Sequence, residues 1–158
     1  MSSVTSALSD VAASLSPDEL TKKVEEIKAA GNERFLKGDY TQAKALYTDA
    51  LSLNPNIVAI YSNRAICELK LEQYGLAIAD ATKAIELDAT FAKAYYRRAC
   101  AHLAILDPKA ALPDLKMVVK LDPRNAQVKM QLDATSKLVR RLEFEKAIRV
   151  EAVSYTHL

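Results

Sequence analysis

Apolar residues in this chain recur at helical spacing in short segments, which are separated by turn-forming residues. In the first clear unit, one segment runs to Phe35, and a break at Gly38 and Asp39 separates it from the next. Gly38 suits the left-handed residue that ends a helix, and Pro55 follows the second segment, where a helix must stop. Each unit is therefore predicted to be a pair of helices.

The same pattern returns every 34 residues, which indicates an internal repeat. Positions that keep this step include Ala43, Ala77 and Ala111; Leu53, Leu87 and Leu121; and the small residues Gly31, Ala65 and Ala99. Small residues at fixed positions allow two helix backbones to approach where they cross. The phase predicts three units, at about residues 24–57, 58–91 and 92–125.

A 34-residue helix pair with small, aromatic and proline positions in this order resembles the tetratricopeptide repeat. The resemblance implies an all-α fold in which three helix-turn-helix repeats form a right-handed superhelix. The last repeat of such a stack needs a capping helix, because its apolar face would otherwise meet water. Residues 125–150 fit that role, with core-like spacing of Val128, Leu132, Leu138, Val139, Leu142 and Ile148.

The two ends differ from the repeats. Residues 1–15 lack a clear period and are predicted to form a disordered tail. Ser16-Pro17-Asp18-Glu19 then reads as a helix start, with Ser16 as N-cap and Glu19 completing a capping box, so the repeat region covers 16–124. Residues 151–158 are predicted to be a tail in which 154–158 look like appended, non-native sequence. Pro113, five residues after Pro108, predicts that the second helix of the third unit starts late or is kinked.

Composition excludes several function classes. The chain has 22 basic and 20 acidic residues, and the acids of the first twenty residues leave a net charge of +5 on the rest. Because the bases are interleaved with acids, general nucleic-acid binding is not expected. No apolar run reaches the roughly 18 residues of a membrane span, and Cys67 and Cys100 lack a metal-ligand spacing. We therefore expect a cytoplasmic protein, with the nucleus as a second location, and buried reduced thiols.

Candidate binding residues lie on the first helix of each unit, which lines the inner face of a curved stack. Lys28 and Asn32 are four residues apart, Lys93 and Arg97 repeat that spacing, and Asn63 occupies the repeat position of Arg97. These five donors include no acid, so an anion is the missing partner. A peptide end with a backbone carboxylate and an Asp side chain would use the whole set.

Two apolar residues stand beside these donors. Phe35 and Ile66 lie three residues beyond Asn32 and Asn63, and could form the wall of a pocket for a penultimate aliphatic side chain. The simpler alternative is that the lysines and the arginine are solvated surface and that Asn63 only satisfies a hydrogen bond between helices. His102, between Ala101 and Leu103, is interpreted as structural. No catalytic residue, metal ligand or cofactor site is predicted.

Three segments resemble the two-carboxylate clamp of co-chaperone tetratricopeptide domains: Lys28-Ala-Ala-Gly-Asn32, Tyr61-Ser-Asn63-Arg64-Ala65 and Lys93-Ala-Tyr-Tyr-Arg97-Arg98-Ala99. The resemblance implies that Lys28, Asn32, Asn63, Lys93 and Arg97 hold the C-terminal Glu-Glu-Val-Asp of cytosolic chaperones of the heat-shock protein 90 and 70 classes.

Residues 24–150 are also similar to the N-terminal domain of the phosphatase 5 family, in segments such as Tyr74-Gly75-Leu-Ala77 and Phe144-Glu-Lys-Ala147-Ile148. In that family the repeats precede a metallophosphatase domain and cover its active site. The resemblance implies a regulatory, non-enzymatic chain that recruits chaperones and contacts a catalytic domain in cis. Two alternatives stay open: a groove that chiefly meets the catalytic domain, and a stand-alone co-chaperone or scaffold.

Overall fold

The computed structural model describes residues 2–156, with side-chain surroundings from residue 6 onward, and this part of the chain contains helices but no strand. The helices are α1 (Ser2–Ser14), α2 (Pro17–Leu36), α3 (Tyr40–Leu53), α4 (Val58–Lys70), α5 (Tyr74–Leu87), α6 (Ala92–Ala104), α7 (Pro108–Leu121) and α8 (Ala126–Thr156). Each helix from α2 to α7 packs on the next one along the chain, and α4 also contacts α6. The predicted all-α fold is confirmed.

The 34-residue period sets the helix ends. The second helices α3, α5 and α7 begin at Tyr40, Tyr74 and Pro108, and α4 and α6 begin at Val58 and Ala92. Val58 and Ala92 are also the predicted first residues of the second and third units. The sequence period thus corresponds to a stack of three helix pairs, α2–α3, α4–α5 and α6–α7.

The small residues of the repeat lie where helices meet. Ala43, Ala77 and Ala111 are fully buried. A Cβ atom added to Gly31 would stand 2.7 Å from Cε1 of Tyr47, so α2 approaches α3 too closely for any side chain there. The core is made of such close contacts.

The turn inside each helix pair uses a left-handed residue. Gly38 has φ +77°, as predicted, and the residues one and two periods later, Glu72 and Leu106, have φ 58° and 62°. Asp39 and Asp107 then cap the next helix, because their side chains accept hydrogen bonds from the backbone N–H of Gln42 and Ala110. The turn has one conformation in all three units, although only the first has a glycine.

The N-terminus departs from the predicted disordered tail. Residues Ser2–Ser14 form α1, which contacts α3, and Leu8 and Ala12 pack on the core. Alanine and leucine favour helix, and two apolar residues four apart give this helix one face to bury. The predicted capping box after it is confirmed: Glu19 N–H donates to Ser16 Oγ at 3.4 Å, and Ser16 N–H donates to Glu19 Oε2 at 2.9 Å.

The C-terminal helix α8 runs beyond the predicted range of 125–150 to Thr156, so residues 151–156 are helical rather than a tail, and residues 157–158 lie outside the described residues. Val128 is buried and packs on α7, whereas Leu142 and Ile148, predicted as core, are 43% and 50% exposed. Helical spacing continues past the point where α7 ends, so the last turns have no helix to pack against. The non-native origin of 154–158 stays a prediction.

Helix α7 begins at Pro108, so the predicted late start is wrong. Asp107 caps this end, and a proline fits there because the first helical N–H has no partner within the helix. Pro113 lies inside the helix, where it offers no N–H to the carbonyl four residues earlier. Between residues 2 and 156, no helix combines the length and apolar character that crossing a membrane requires.

Candidate functional site

The first helices α2, α4 and α6 line two adjoining cavities that share Ile66 and Arg97. The smaller has a volume of about 220 Å³ and is lined by Asn32, Phe35, Leu36, Tyr47, Asn63, Ile66 and Arg97. The larger, about 660 Å³, is lined by Ile66, Leu69, Lys70, Tyr74, Ala92, Lys93, Tyr96, Arg97, Cys100, Ala104, Val118, Asp122, Asn125, Gln127 and Val128. We call the two cavities together the groove.

Asn32 has its amide oriented by two donors. Its Oδ1 accepts a hydrogen bond from the Tyr47 hydroxyl at 2.5 Å and a second from Asn63 Nδ2 at 3.3 Å. With the acceptor side in use, the two N–H groups of Asn32 are left for the groove. The hydrogen bond between Asn63 and Asn32 matches the simpler alternative for Asn63, but it engages only one of the two N–H groups of Asn63.

Arg97 is a half-buried cation without an acidic partner in the described part of the chain. Its Nη1 donates to the backbone carbonyl and to the hydroxyl of Ser62 on α4, and Ser62 is fully buried. Burial lowers the pKa of the Arg97 guanidinium, because desolvation disfavours its charged form. The neutral acceptors of Ser62 orient the guanidinium but leave its charge uncompensated.

Two other arginines between helices have acidic partners. Arg64 Nε and Nη2 donate to Asp80 at 2.6 and 2.7 Å, and Arg98 Nε and Nη2 donate to Asp114 at 2.8 and 2.7 Å. Both carboxylates are buried, at 7% and 4% exposure. The fold therefore neutralises the guanidinium in these two pairs and not in Arg97.

The two predicted lysines have different surroundings. Lys93 is exposed, lines the larger cavity beside Arg97, and has no ion-pair partner among the described residues. Lys28 lines neither cavity, and its Nζ lies 3.2 Å from Glu25 Oε2. The five donor positions contain no acid, as the sequence shows, but Lys28 has an acidic neighbour in Glu25, so the expectation that the donors lack an internal acceptor does not hold for Lys28. This exposed pair one turn apart contributes little free energy, so Lys28 can exchange Glu25 for another anion.

The predicted apolar wall is present in the groove. Phe35 and Ile66 both line the smaller cavity, and Ile66 also faces the larger one. The Phe35 ring packs edge-on against Tyr40, with 5.3 Å between ring centres. The structure thus brings Asn32, Asn63 and Arg97 together with the apolar pair, and adds Lys93 across the shared boundary of the two cavities.

Sequence reasoning missed Tyr47, which lines the smaller cavity, and Ser62, which accepts hydrogen bonds from Arg97 but lines neither cavity. Tyr47 lies on α3, the second helix of its pair, whereas the predicted donors all lie on first helices. Ser62 lies on α4, one period from Lys28, so the 34-residue step could have drawn attention to it. Both form hydrogen bonds with predicted site residues, Tyr47 with Asn32 and Ser62 with Arg97.

The two cysteines and His102 are not among the predicted donors. Cys67 is buried and burial raises its pKa to about 11, while Cys100 is half-buried and lines the larger cavity. His102 Nδ1 is buried without a hydrogen-bond partner. Across residues 2–156, no group of three or more His, Cys, Asp or Glu side chains is placed to hold a metal ion.

Comparison with known proteins identifies the repeat. A sequence model of the tetratricopeptide repeat matches residues 29–57 and 58–91. The chain is 42% identical over 127 residues to serine/threonine-protein phosphatase 5 of Rattus norvegicus, which covers 80% of this chain and 26% of that protein. The chain thus spans about a quarter of the length of the curated relatives it matches. The predicted resemblance to that N-terminal region is confirmed.

Solved structures give the same fold. The first tetratricopeptide domain of Spaghetti (RPAP3), bound to the HSP90 peptide SRMEEVD, superposes with a TM-score of 0.73 at 28% identity, over 75% of this chain and 94% of that one. The TPR2B domain of yeast Sti1, in complex with an Hsp70 peptide, gives a TM-score of 0.69 at 32% identity, over 74% of this chain and 98% of that one. In both the repeats, rather than one element, carry the similarity.

Proposed function

The chain belongs to the tetratricopeptide repeat family, and from that premise we propose that its groove binds the acidic C-terminal peptide of heat-shock chaperones. The peptide would end in Glu-Glu-Val-Asp and would be held by its terminal carboxylate and the Asp side chain. The proposed donors are Lys28, Asn32, Asn63, Lys93 and Arg97, and the proposed pocket for the penultimate side chain is formed by Phe35 and Ile66.

One observation carries this proposal: Arg97 is a half-buried guanidinium without an acid among the described residues. A desolvated charge that lacks a counter-ion destabilises a fold, so a protein that keeps one has a use for it. A carboxylate is the planar, bidentate partner that a guanidinium fits best. Arg64 and Arg98 show this geometry already satisfied inside the same chain.

The groove supplies more than charge. Asn32 and Asn63 add directional N–H donors beside Arg97, and Lys93 adds an exposed ammonium group at the adjoining cavity. Two carboxylates at one chain end would therefore meet two cations and two amides in adjoining cavities. The apolar wall should favour binding of a peptide with an aliphatic penultimate residue over a purely acidic peptide, because only the aliphatic side chain covers Ile66 and Phe35.

The relatives support the choice of partner. Two similar repeat domains are described as bound to HSP90 and Hsp70 peptides, and the groove of this chain has donors of the required kind. We extend this to both chaperone classes and leave their order of preference to measurement. We also propose a cytoplasmic location, because the proposed partners are cytosolic chaperones.

A second, finer proposal concerns the longer protein. The similarity to serine/threonine-protein phosphatase 5 supports a regulatory domain that recruits chaperones and covers a phosphatase site in cis. The alternative is a stand-alone co-chaperone or scaffold without a phosphatase domain. The reading frame beyond Leu158 decides between them: a metallophosphatase domain supports the first, and a stop codon overturns it.

Binding is tested by isothermal titration of SRMEEVD into the 158-residue chain and into two variants, Lys93→Ala and Arg97→Ala. Each charge-assisted contact contributes about 1.5–3 kcal/mol, so each variant should bind about 10- to 100-fold more weakly while keeping its helical circular dichroism. Raising the salt concentration should weaken the wild-type complex. Unchanged affinity in both variants would overturn the clamp.

A further inference from the structure

We propose that Tyr47 is a positioning residue of the groove, whose hydroxyl fixes the side-chain amide of Asn32 so that both of its N–H groups face the ligand. The inference rests on the proposed function, since it assigns a task to a residue that the peptide need not touch. Tyr47 lies on α3 and lines the smaller cavity beside Asn32.

The hydrogen bonds of Asn32 leave its amide one orientation. An amide oxygen accepts two hydrogen bonds, and here both come from protein, from the Tyr47 hydroxyl at 2.5 Å and from Asn63 Nδ2 at 3.3 Å. Rotating the amide by half a turn would set the NH₂ of Asn32 against the NH₂ of Asn63, donor against donor. The two neighbours therefore define which end of Asn32 meets the groove.

Tyr47 is itself held rigidly. Its side chain is 1% exposed, and its ring lies against the backbone of Gly31, where an added Cβ would stand 2.7 Å from Cε1. Gly31 directly precedes Asn32, so the close approach of the ring to α2 brings the hydroxyl to the neighbouring side chain. Burial raises the pKa of Tyr47 to about 12, so the hydroxyl keeps its proton at neutral pH and remains a donor.

Orientation matters because the ligand accepts hydrogen bonds. A carboxylate gains from Asn32 only if the amide presents nitrogen, and a rotated amide would present an oxygen to an anion. Without the hydroxyl, one of the two contacts that favour the productive orientation is gone. The gain from a fixed donor is the gain of preorganisation, which appears in ligand affinity and not only in fold stability.

The test is the variant Tyr47→Phe, which keeps the ring against Gly31 and removes only the hydroxyl. The matched control is Tyr61→Phe, because Tyr61 is 8% exposed and its hydroxyl donates to the Pro55 carbonyl at 2.8 Å, away from the cavity linings. Titration with SRMEEVD should give a three- to tenfold loss of affinity for Tyr47→Phe, about the value of one hydrogen bond, and no loss for Tyr61→Phe.

A second cycle separates positioning from general stability. In an Asn32→Ala background, Tyr47→Phe should cause no further loss of affinity, because there is no amide left to orient. A merely structural role would lower affinity by the same factor in both backgrounds, and that result would overturn the proposal. Equal affinity of Tyr47→Phe and wild type for the peptide would overturn it as well.

A measurement without ligand keeps this proposal distinct from the clamp. In the free protein, the side-chain ¹⁵N–¹H signals of Asn32 should shift in Tyr47→Phe and stay in place in Tyr61→Phe. If the wild type binds no SRMEEVD, the proposed function is wrong, and the Asn32 signals still decide the orientation. Asn32 signals that are identical in wild type and Tyr47→Phe would show that the hydroxyl does not orient the amide.

Discussion

Arg97 and Arg98 are neighbours on α6, yet they face two different regions of the molecule. Arg98 donates two hydrogen bonds to Asp114 on α7 and a third, of 3.2 Å, to Thr82 Oγ1 on α5. Arg97 points to the groove, where its partners are the neutral oxygens of Ser62. We call the Arg98–Asp114 contact the closed pair and the Arg97 guanidinium, which has no acidic partner among the described residues, the open site.

The closed pair is part of the repeat. Arg64, Asp80 and Thr48 form the same contacts one period earlier, and in both units a tyrosine ring lies under the guanidinium. Such a pair stabilises the contact between helices when the free protein folds. At the open site no acid offsets the desolvation of the Arg97 guanidinium in the free protein. This desolvation cost is offset only when an anion binds. The absence of a counter-ion, rather than the presence of an arginine, distinguishes the functional region.

The largest effect is expected when the closed pair is broken. Arg98→Ala leaves Asp114 buried without a cation, so unfolding free energy should fall by about 3 kcal/mol, measured by urea denaturation. Affinity for SRMEEVD, measured under conditions where the variant is folded, should stay within about twofold of wild type.

Arg97→Ala is the matched variant and should do the reverse. It removes a desolvated cation without orphaning an acid, so its unfolding free energy should stay close to that of wild type while peptide affinity falls about 10- to 100-fold. A loss of stability as large as that of Arg98→Ala would show that Arg97 is structural, and the contrast between the two regions would fail.

A smaller effect concerns pH, and it should appear in stability alone. Glu68 on α4 is 2% exposed, and its pKa is raised from the ordinary 4.5 to about 7, first by burial and then by Asp80, against the opposing Lys44 and Arg64. The folded protein keeps a proton that the unfolded chain releases above pH 4.5. Stability should therefore fall as pH rises toward about 7 and then level off.

Urea denaturation at pH 5.5 and pH 8 checks this, and Glu68→Gln should remove the difference because it cannot titrate. Affinity for SRMEEVD should be constant from pH 6.5 to 8, because Glu68 lines neither cavity of the groove. If affinity followed the same pH dependence as stability, the surroundings of Glu68 and the groove would be coupled, which contradicts their description as separate regions.

The smallest effect is expected at the turns. Leu106 is 88% exposed and has φ 62°, a conformation that costs a residue with a side chain about 1–2 kcal/mol. Leu106→Gly should therefore raise the unfolding free energy by about 0.5–1 kcal/mol, after the entropy of the unfolded glycine is subtracted. Peptide affinity should not change.

Gly38 provides the reverse test, since it occupies the same repeat position with φ +77°. Gly38→Leu should lose about as much stability as Leu106→Gly gains. A change in peptide affinity in either variant would indicate that affinity follows the stability of the fold. Stability and binding would then not be separate properties of the two regions.

The helix pairs could be predicted because one period places every break. The positions of Ala43, Ala77 and Ala111 gave the phase, and helix ends then followed from turn residues such as Gly38. The ends of the chain lie outside the period, so only composition and local apolar spacing were available to predict them. They failed for α1, where two apolar residues suffice to dock a helix, and for the exposed last turns of α8.

The groove was predictable in part, for a related reason. Asn63 and Arg97 occupy equivalent positions of neighbouring first helices, and Asn32 and Arg97 each lie four residues after a lysine, which predicted one shared face for the three. Tyr47 could not be found this way, because its reach into the groove depends on how closely α3 packs on α2 at Gly31. That the groove cation lacks an acid, while Arg98 has one, is likewise a fact of side-chain packing that the period does not contain.

The most direct measurement of the central claim compares SRMEEVD with its C-terminally amidated form by titration into the wild-type chain. Amidation removes one carboxylate and leaves every other atom of the peptide in place. Our account predicts that the amide binds at least tenfold more weakly, because one of the two carboxylates that the groove donors would hold is replaced by a neutral amide. Equal affinity for the two peptides would contradict it and would favour a scaffold that binds internal segments.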